Sequence, residues 1–161
     1  MTRRLQHELT YDAPLDAVTS MLADPSFREE VCDYMGVLRH SVVIEPVGEG
    51  MHVTIDQWQR TTGIPSFAKR LVGAETNIVQ REIWSTPVLG DIAVTIPGKP
   101  GDMSGTARLE ERNGTTVEAV DMTVTVGIPL LGGKLEDFIS GMLLKALKAE
   151  NHVGREYLSR T

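Results

Sequence analysis

The chain has 161 residues, 41% hydrophobic and 24% charged, the proportions of a globular protein able to bury roughly two thirds of the surface it exposes unfolded. Sixteen Lys and Arg against 22 Asp and Glu leave a net charge of −6. With no basic block, that balance argues against nucleic acid and anionic membrane surfaces as partners.

Cys32 is the lone cysteine, so no internal disulfide forms and a reducing, cytoplasmic setting is expected. Arg3 and Arg4 are not followed by the apolar stretch of a signal peptide, and no run of about 18 uncharged apolar residues occurs, so no stable membrane insertion is expected. Nor is there an internal repeat or a linker, and residues 1–161 are read as one domain.

Leu5, His7, Leu9 and Tyr11 alternate with Arg4, Gln6, Glu8 and Thr10, the period of a half-buried strand. Two short helices follow. Asp12 is placed to cap the first, with Leu15, Val18, Met21 and Leu22 as its inner stripe; Asp24-Pro25 opens the second and Gly36 closes it. Six further strands are predicted over 38–47, 51–59, 76–84, 88–96, 103–111 and 115–126. "GEG" at 48–50 marks one hairpin turn, and Asn113-Gly114 marks another because both residues accept positive φ. The irregular stretch 60–73 is read as a loop with a helical turn near 66–71. Strands joined by short turns favour an antiparallel sheet in an α+β fold.

The last element is the most strongly patterned: "GIPLLGGKLEDFISGMLLKALKAE", residues 127–150, continuing to Tyr157. At 100° per residue, Leu131, Leu135, Phe138, Ile139, Met142, Leu143, Ala146, Ala149, Val153 and Tyr157 share one arc of about 140°. Glu150 intrudes at the edge of that arc, and Leu144 sits among the charges on the other side. Asp137, Glu150 and Glu156 dilute the basic residues that a membrane-surface helix would display. So broad a stripe is expected to lie across the sheet.

Tyr11, Ala13, Pro14, Val18, Leu22, Asp24 and Pro25, in "YDAPLDAVTSMLADP" after an alternating strand, resemble the opening of START-related, polyketide-cyclase-like domains (the SRPBCC or helix-grip superfamily). "GIPLLGGKLEDFISG" is similar to a branch of that superfamily typical of actinobacteria. The resemblance implies a seven-stranded antiparallel sheet wrapped around the long C-terminal helix, with two short helices after strand 1. It also implies a cavity between sheet and helix that holds an apolar ligand. On that basis Leu135, Phe138 and Met142 are expected to line the cavity from the helix, Trp84, Ile92, Val94 and Leu109 from the sheet, and Phe67 from the loop.

Catalytic and metal signatures are weak. "GGKL" at 132–135 lacks the glycine spacing and the Ser/Thr of a phosphate loop. His7, His40, His52 and His152 are scattered, so no metal and no other cofactor is expected. His152 and Glu156 read as an exposed pair one helical turn apart. Asn113-Gly114-Thr115 reads as a turn rather than a glycosylation site, and Cys32 as a small buried hydrophobe.

The informative polar residues lie in the strands. Gln57 continues the face of Val53 and Ile55. In the next strand Ile78, Gln80, Glu82 and Trp84 compete for the inner face with Val79, Arg81 and Ile83, and an outward Glu82 is favoured because acids are mostly exposed. Asp121 interrupts one phase of the last strand, whereas Val120, Met122, Val124 and Val126 form the cleaner apolar one.

The leading expectation is a protein that binds or carries a hydrophobic or amphipathic small molecule such as a lipid or polyketide-like compound. A cyclase or dehydratase using Glu82 or Asp121 is the second reading, and a protein-interaction module with a filled core the third. Enzymatic activity is not favoured.

Overall fold

The computed structural model describes residues 2–160. The elements run β1 (Thr2–Tyr11), α1 (Leu15–Leu22), α2 (Pro25–Met35), β2 (Arg39–Val47), β3 (Gly50–Arg60), α3 (Ser66–Lys69), β4 (Glu75–Thr86), β5 (Leu89–Thr95), β6 (Asp102–Arg112), β7 (Thr115–Thr125) and α4 (Gly132–Ser159). The seven strands form one antiparallel sheet in the order β1-β7-β6-β5-β4-β3-β2. This is the helix-grip arrangement that the resemblance implied.

Alternation builds the inner face strand by strand. Leu5, Leu9 and Tyr11 point inward from β1, Val53, Ile55 and Gln57 from β3, and Val120, Met122 and Val124 from β7. On β4 Glu82 and Trp84 are inward and Ile83 is exposed, so the favoured outward Glu82 is corrected. The competing pattern arose because Val79 is also buried, giving β4 apolar residues on both faces. Asp121 lies on the outer face, where Arg4 Nη2 donates to its Oδ2 at 2.6 Å.

The helices cover the inner face. Asp24 caps α2 by accepting from the Ser26 N–H at 2.9 Å, and Gly36 ends that helix at φ 73°. Asp12 does not cap α1; the Glu111 carboxylate at the end of β6 accepts the Leu15 N–H instead, at 2.6 Å. The long helix starts five residues later than its sequence pattern, because Pro129 and the left-handed Leu130 (φ 68°) interrupt the helical backbone just before its N-cap, Leu131. Four contacts then fix its pose: Glu136 Oε2 accepts from Val126 N at 2.8 Å, Asn151 and Arg155 donate to Thr10 O, and the Tyr157 hydroxyl donates to Asp24.

The face that α4 presents is rotated from the predicted arc. Leu135, Ala149 and Val153 are buried as expected, but so are Glu136 and Ser140, while Met142 is 41% exposed. Leu144, assigned to the charged side, packs against the core. Among the described residues no helix is long and apolar enough to cross a membrane.

Candidate functional site

Between the sheet and the pair α2/α4 lies a cavity of about 80 Å³. Its sheet wall carries Ile55, Gln80, Ile92, Val94, Val120 and Met122; its helix wall carries Val31, Cys32, Met35, Leu143, Ala146 and Leu147. Five further polar groups are set into these walls: Arg28, Gln57, Glu82, Glu118 and Glu150. The volume is below the roughly 300–1,000 Å³ of drug-sized ligand sites. It suits a head group or a small molecule rather than an entire lipid chain.

One ion pair organises the polar side. Arg28 projects from α2, and its two terminal nitrogens donate to the two carboxylate oxygens of Glu82, each at 2.9 Å, while Nε donates to Leu22 O at 3.0 Å. Glu82 also accepts from the Trp84 indole N–H at 2.8 Å and from the Gln80 amide. Arg28 and Glu82 are 3% and 4% exposed, so the pair survives burial only because every partner is in place. Burial alone would raise the Glu82 carboxyl, but the Arg28 charge and these hydrogen bonds hold it below the usual range. Glu82 is therefore a fixed anion, and the general-acid role considered for it is not supported by this geometry. Asp121 is held low by its hydrogen bond to Arg4 and stands outside the cavity.

Glu118 is the opposite case. It enters from β7, on the same face as Val120 and Met122, with Leu9 and Leu109 as its cross-strand neighbours. It is 4% exposed, and its Oε1 has no hydrogen-bond partner. Burial, then the charges of Glu150 and Glu82, push its carboxyl well above the ordinary range. Glu150, on α4, is pushed up to about 7 by burial, with the Arg28 charge pulling it back and Glu82 adding a smaller rise. Two carboxyls shifted toward their neutral forms thus face one two-pronged ion pair. Beside them, burial raises the Cys32 thiol to about 11, and burial also raises the Tyr11 phenol, whose hydroxyl has no hydrogen-bond partner.

Of the residues predicted to line a cavity, Ile92 and Val94 reach this one. Leu109 and Leu135 belong to the packed core. Trp84 is buried beneath Gly90, where a Cβ would stand 2.6 Å from the indole, and its contribution is the hydrogen bond to Glu82. It does not line the cavity. Phe67 and Phe138 meet edge-to-face at 6.5 Å, away from the cavity, and Met142 faces solvent.

Sequence reasoning missed Arg28, Glu118 and the centrality of Glu150. Each carried a signal: Arg28 is one turn before Val31 and Cys32, Glu118 shares parity with Val120 and Met122, and Glu150 interrupts the apolar arc. Among the described residues no group of three His, Cys, Asp or Glu side chains is placed to hold a metal ion.

The family described as "Protein of unknown function (DUF2505)" matches residues 6–158. The chain belongs to the DUF2505 family. Comparison with curated proteins finds no match. Solved structures share the fold of this DUF2505 protein. TTHA0849 from Thermus thermophilus superposes with a TM-score of 0.68 at 16% identity, over 98% of each chain. The Zhui aromatase/cyclase from Streptomyces sp. R1128 gives 0.66 at 15% identity, over 99% of this chain and 95% of that one. Norcoclaurine synthase from Thalictrum flavum gives 0.60 at 15% identity, over 95% and 86%. At such identities the likeness shows the fold alone.

Proposed function

We propose that this DUF2505 protein binds an amphipathic small molecule between the sheet and α2/α4, with the polar end at Glu118 and Glu150 and the apolar part along Ile92, Val94, Val120 and Leu143. The observation that carries the reading is the unpartnered Oε1 of Glu118, almost fully buried in the wall of a cavity. A buried acceptor without a partner costs roughly 1–3 kcal/mol, which a ligand donor at that point would recover. Binding sites that are mostly apolar with a few convergent polar groups have this composition. The same reading takes the ligand, rather than nucleic acid or a membrane, as the partner, in keeping with the net charge of −6. It places the protein in the cytoplasm, with residues 1–161 acting as one unit. Native mass spectrometry of the purified protein tests it: a co-purified small molecule lost on Glu118→Gln is expected, and a ligand-free protein with no saturable site for any small amphiphile rejects it.

A cyclase-type reaction on a similar ligand is the second reading, favoured by one observation. Glu118 is a carboxyl buried in the cavity wall, where desolvation shifts it toward the protonated form that a general acid requires. If turnover of a polyketide-like substrate is found, Glu118→Gln should remove about 10²–10⁴-fold of it, whereas Asp121→Asn should leave it unchanged.

A further inference from the structure

We infer that the head group recognised in this cavity is a cation, an alkylammonium or a comparable amine. The inference rests on the small-molecule reading and adds the charge of the ligand. Among the described residues, the charged side chains that line the cavity are Arg28 from α2, Glu82 from β4, Glu118 from β7 and Glu150 from α4. Arg28 and Glu82 cancel one another in a two-pronged pair, and the remaining Nε is spent on Leu22 O. Three of the five guanidinium N–H groups are thus engaged, and the positive charge of Arg28 is matched by the Glu82 carboxylate rather than left for a ligand anion. Of these lining charges, two carboxyls remain and no cation, and Glu118 is 4% exposed with Oε1 unpartnered. The other titratable groups nearby, Cys32 in the wall and the Tyr11 phenol close to it, are both shifted toward their neutral, protonated forms. They therefore add no positive charge.

A carboxylate head group would find no unpaired cation in the lining and could enter only with Glu118 and Glu150 both kept protonated, since like charges without a counter-ion are costly in a desolvated site. A hydroxyl could donate to Glu118 but would leave the second carboxyl unanswered. An ammonium offers three donors and a full positive charge, enough for both Glu118 and Glu150.

Its entry has a chemical signature. Burial and the neighbouring acids favour the protonated form of Glu118 in the free protein; the incoming ammonium R–NH₃⁺ pairs with the carboxylate, and the proton that Glu118 held passes to solvent. Amine binding therefore releases a proton and tightens as pH rises, until the amine itself loses its charge. A neutral alcohol would show no such linkage, and a fatty acid would take a proton up.

The test is calorimetric titration at pH 7 of hexylamine, 1-hexanol and hexanoate into the natural protein, each in two buffers of different ionisation enthalpy. Hexylamine should bind at least about tenfold tighter than the other two, a step of ~1.4 kcal/mol, with release of a proton. Glu118→Gln should lose that tenfold preference and the proton release; circular dichroism reports whether the variant is folded. If it is not folded, proton release by the natural protein decides alone. Hexanol or hexanoate binding as tightly as hexylamine, or hexylamine binding without proton release, overturns the cation assignment and leaves the small-molecule reading standing. No saturable binding of hexylamine also overturns it. Failure of all three probes, together with a ligand-free protein in native mass spectrometry, overturns both.

Discussion

Glu118 and Glu150 oppose Glu82 in the way they respond to pH, and the opposition fixes the shape of the stability profile. Glu150 has a folded-state value of about 7 against an ordinary 4.5. Its contribution is therefore complete below about pH 4.5 and lost as pH rises through about 7; Glu118 acts in the same direction. Glu82, Asp24 and Asp121 are held low, so their contributions exist above the ordinary carboxylate range and vanish as pH falls. Maximum stability is expected on the mildly acidic side, with a decline between about pH 5 and 8. Urea unfolding across that interval should show the decline in the natural protein and a shallower one in Glu150→Gln; equal slopes would remove Glu150 from the account. The Arg28–Glu82 pair supplies a second prediction. Arg28→Met alone leaves Glu82 buried without its counter-ion and should cost about 3–5 kcal/mol. The double variant Arg28→Met/Glu82→Leu should recover most of that loss, since a well-packed apolar pair can replace a buried ion pair at little cost. Denaturant midpoints of the two variants measure the difference.

Each element was readable in the sequence to the extent that a single periodicity governed it. β1 and β7 have one buried face each; alternation placed Leu5 and Leu9 on the inside, and for β7 it favoured the phase of Val120 and Met122, with the facing of Asp121 left open. β4 is apolar on both faces, so its pattern could not orient Glu82, and a contact with a residue 54 positions earlier decided the matter. For α4 the wheel recognised a buried stripe but centred it wrongly, because the helix lies between β1 on one side and α2 on the other, and side chains such as Glu136 and Ser140 are buried through tertiary contacts. The rotation changes which substitution probes the cavity. Met142→Trp, which would test a hollow if Met142 faced one, should now change stability by no more than about 0.5 kcal/mol, the usual range for surface sites. Ala146 is the residue that α4 turns toward the cavity with room to grow. Ala146→Leu should cost less than about 1.5 kcal/mol, because the added methylenes enter empty space rather than a filled core. It should also eliminate ligand binding. A loss above that figure in unfolding measurements would mean that the space is already filled.

At the scale of the whole molecule, charge and shape separate cleanly. Exposed pairs such as Arg4–Asp121, Arg39–Glu75 and Arg160–Glu30 tie neighbouring elements together at the surface, where each contributes little. The consequential charges are inside. The sheet order carries a further implication. β1 begins the chain yet pairs with β7, so Thr2 lies beside Thr125, and Thr116 on β7 hydrogen-bonds to Ala13 across 103 positions. During synthesis at about 5–20 residues per second, β1 leaves the ribosome about 5–20 s before its partner exists. Its apolar edge, Leu5, Leu9 and Tyr11, spends that interval without a template. Pairings of such long range close late and slow the search for the native state. Leu9→Ala should accordingly speed unfolding several-fold while leaving the refolding rate nearly unchanged in stopped-flow measurements; a comparable slowing of refolding would place β1 in the nucleus instead. On that account β1, made well before β7, is seated only when β7 arrives, and the newly made chain depends on whatever shields that strand in the meantime.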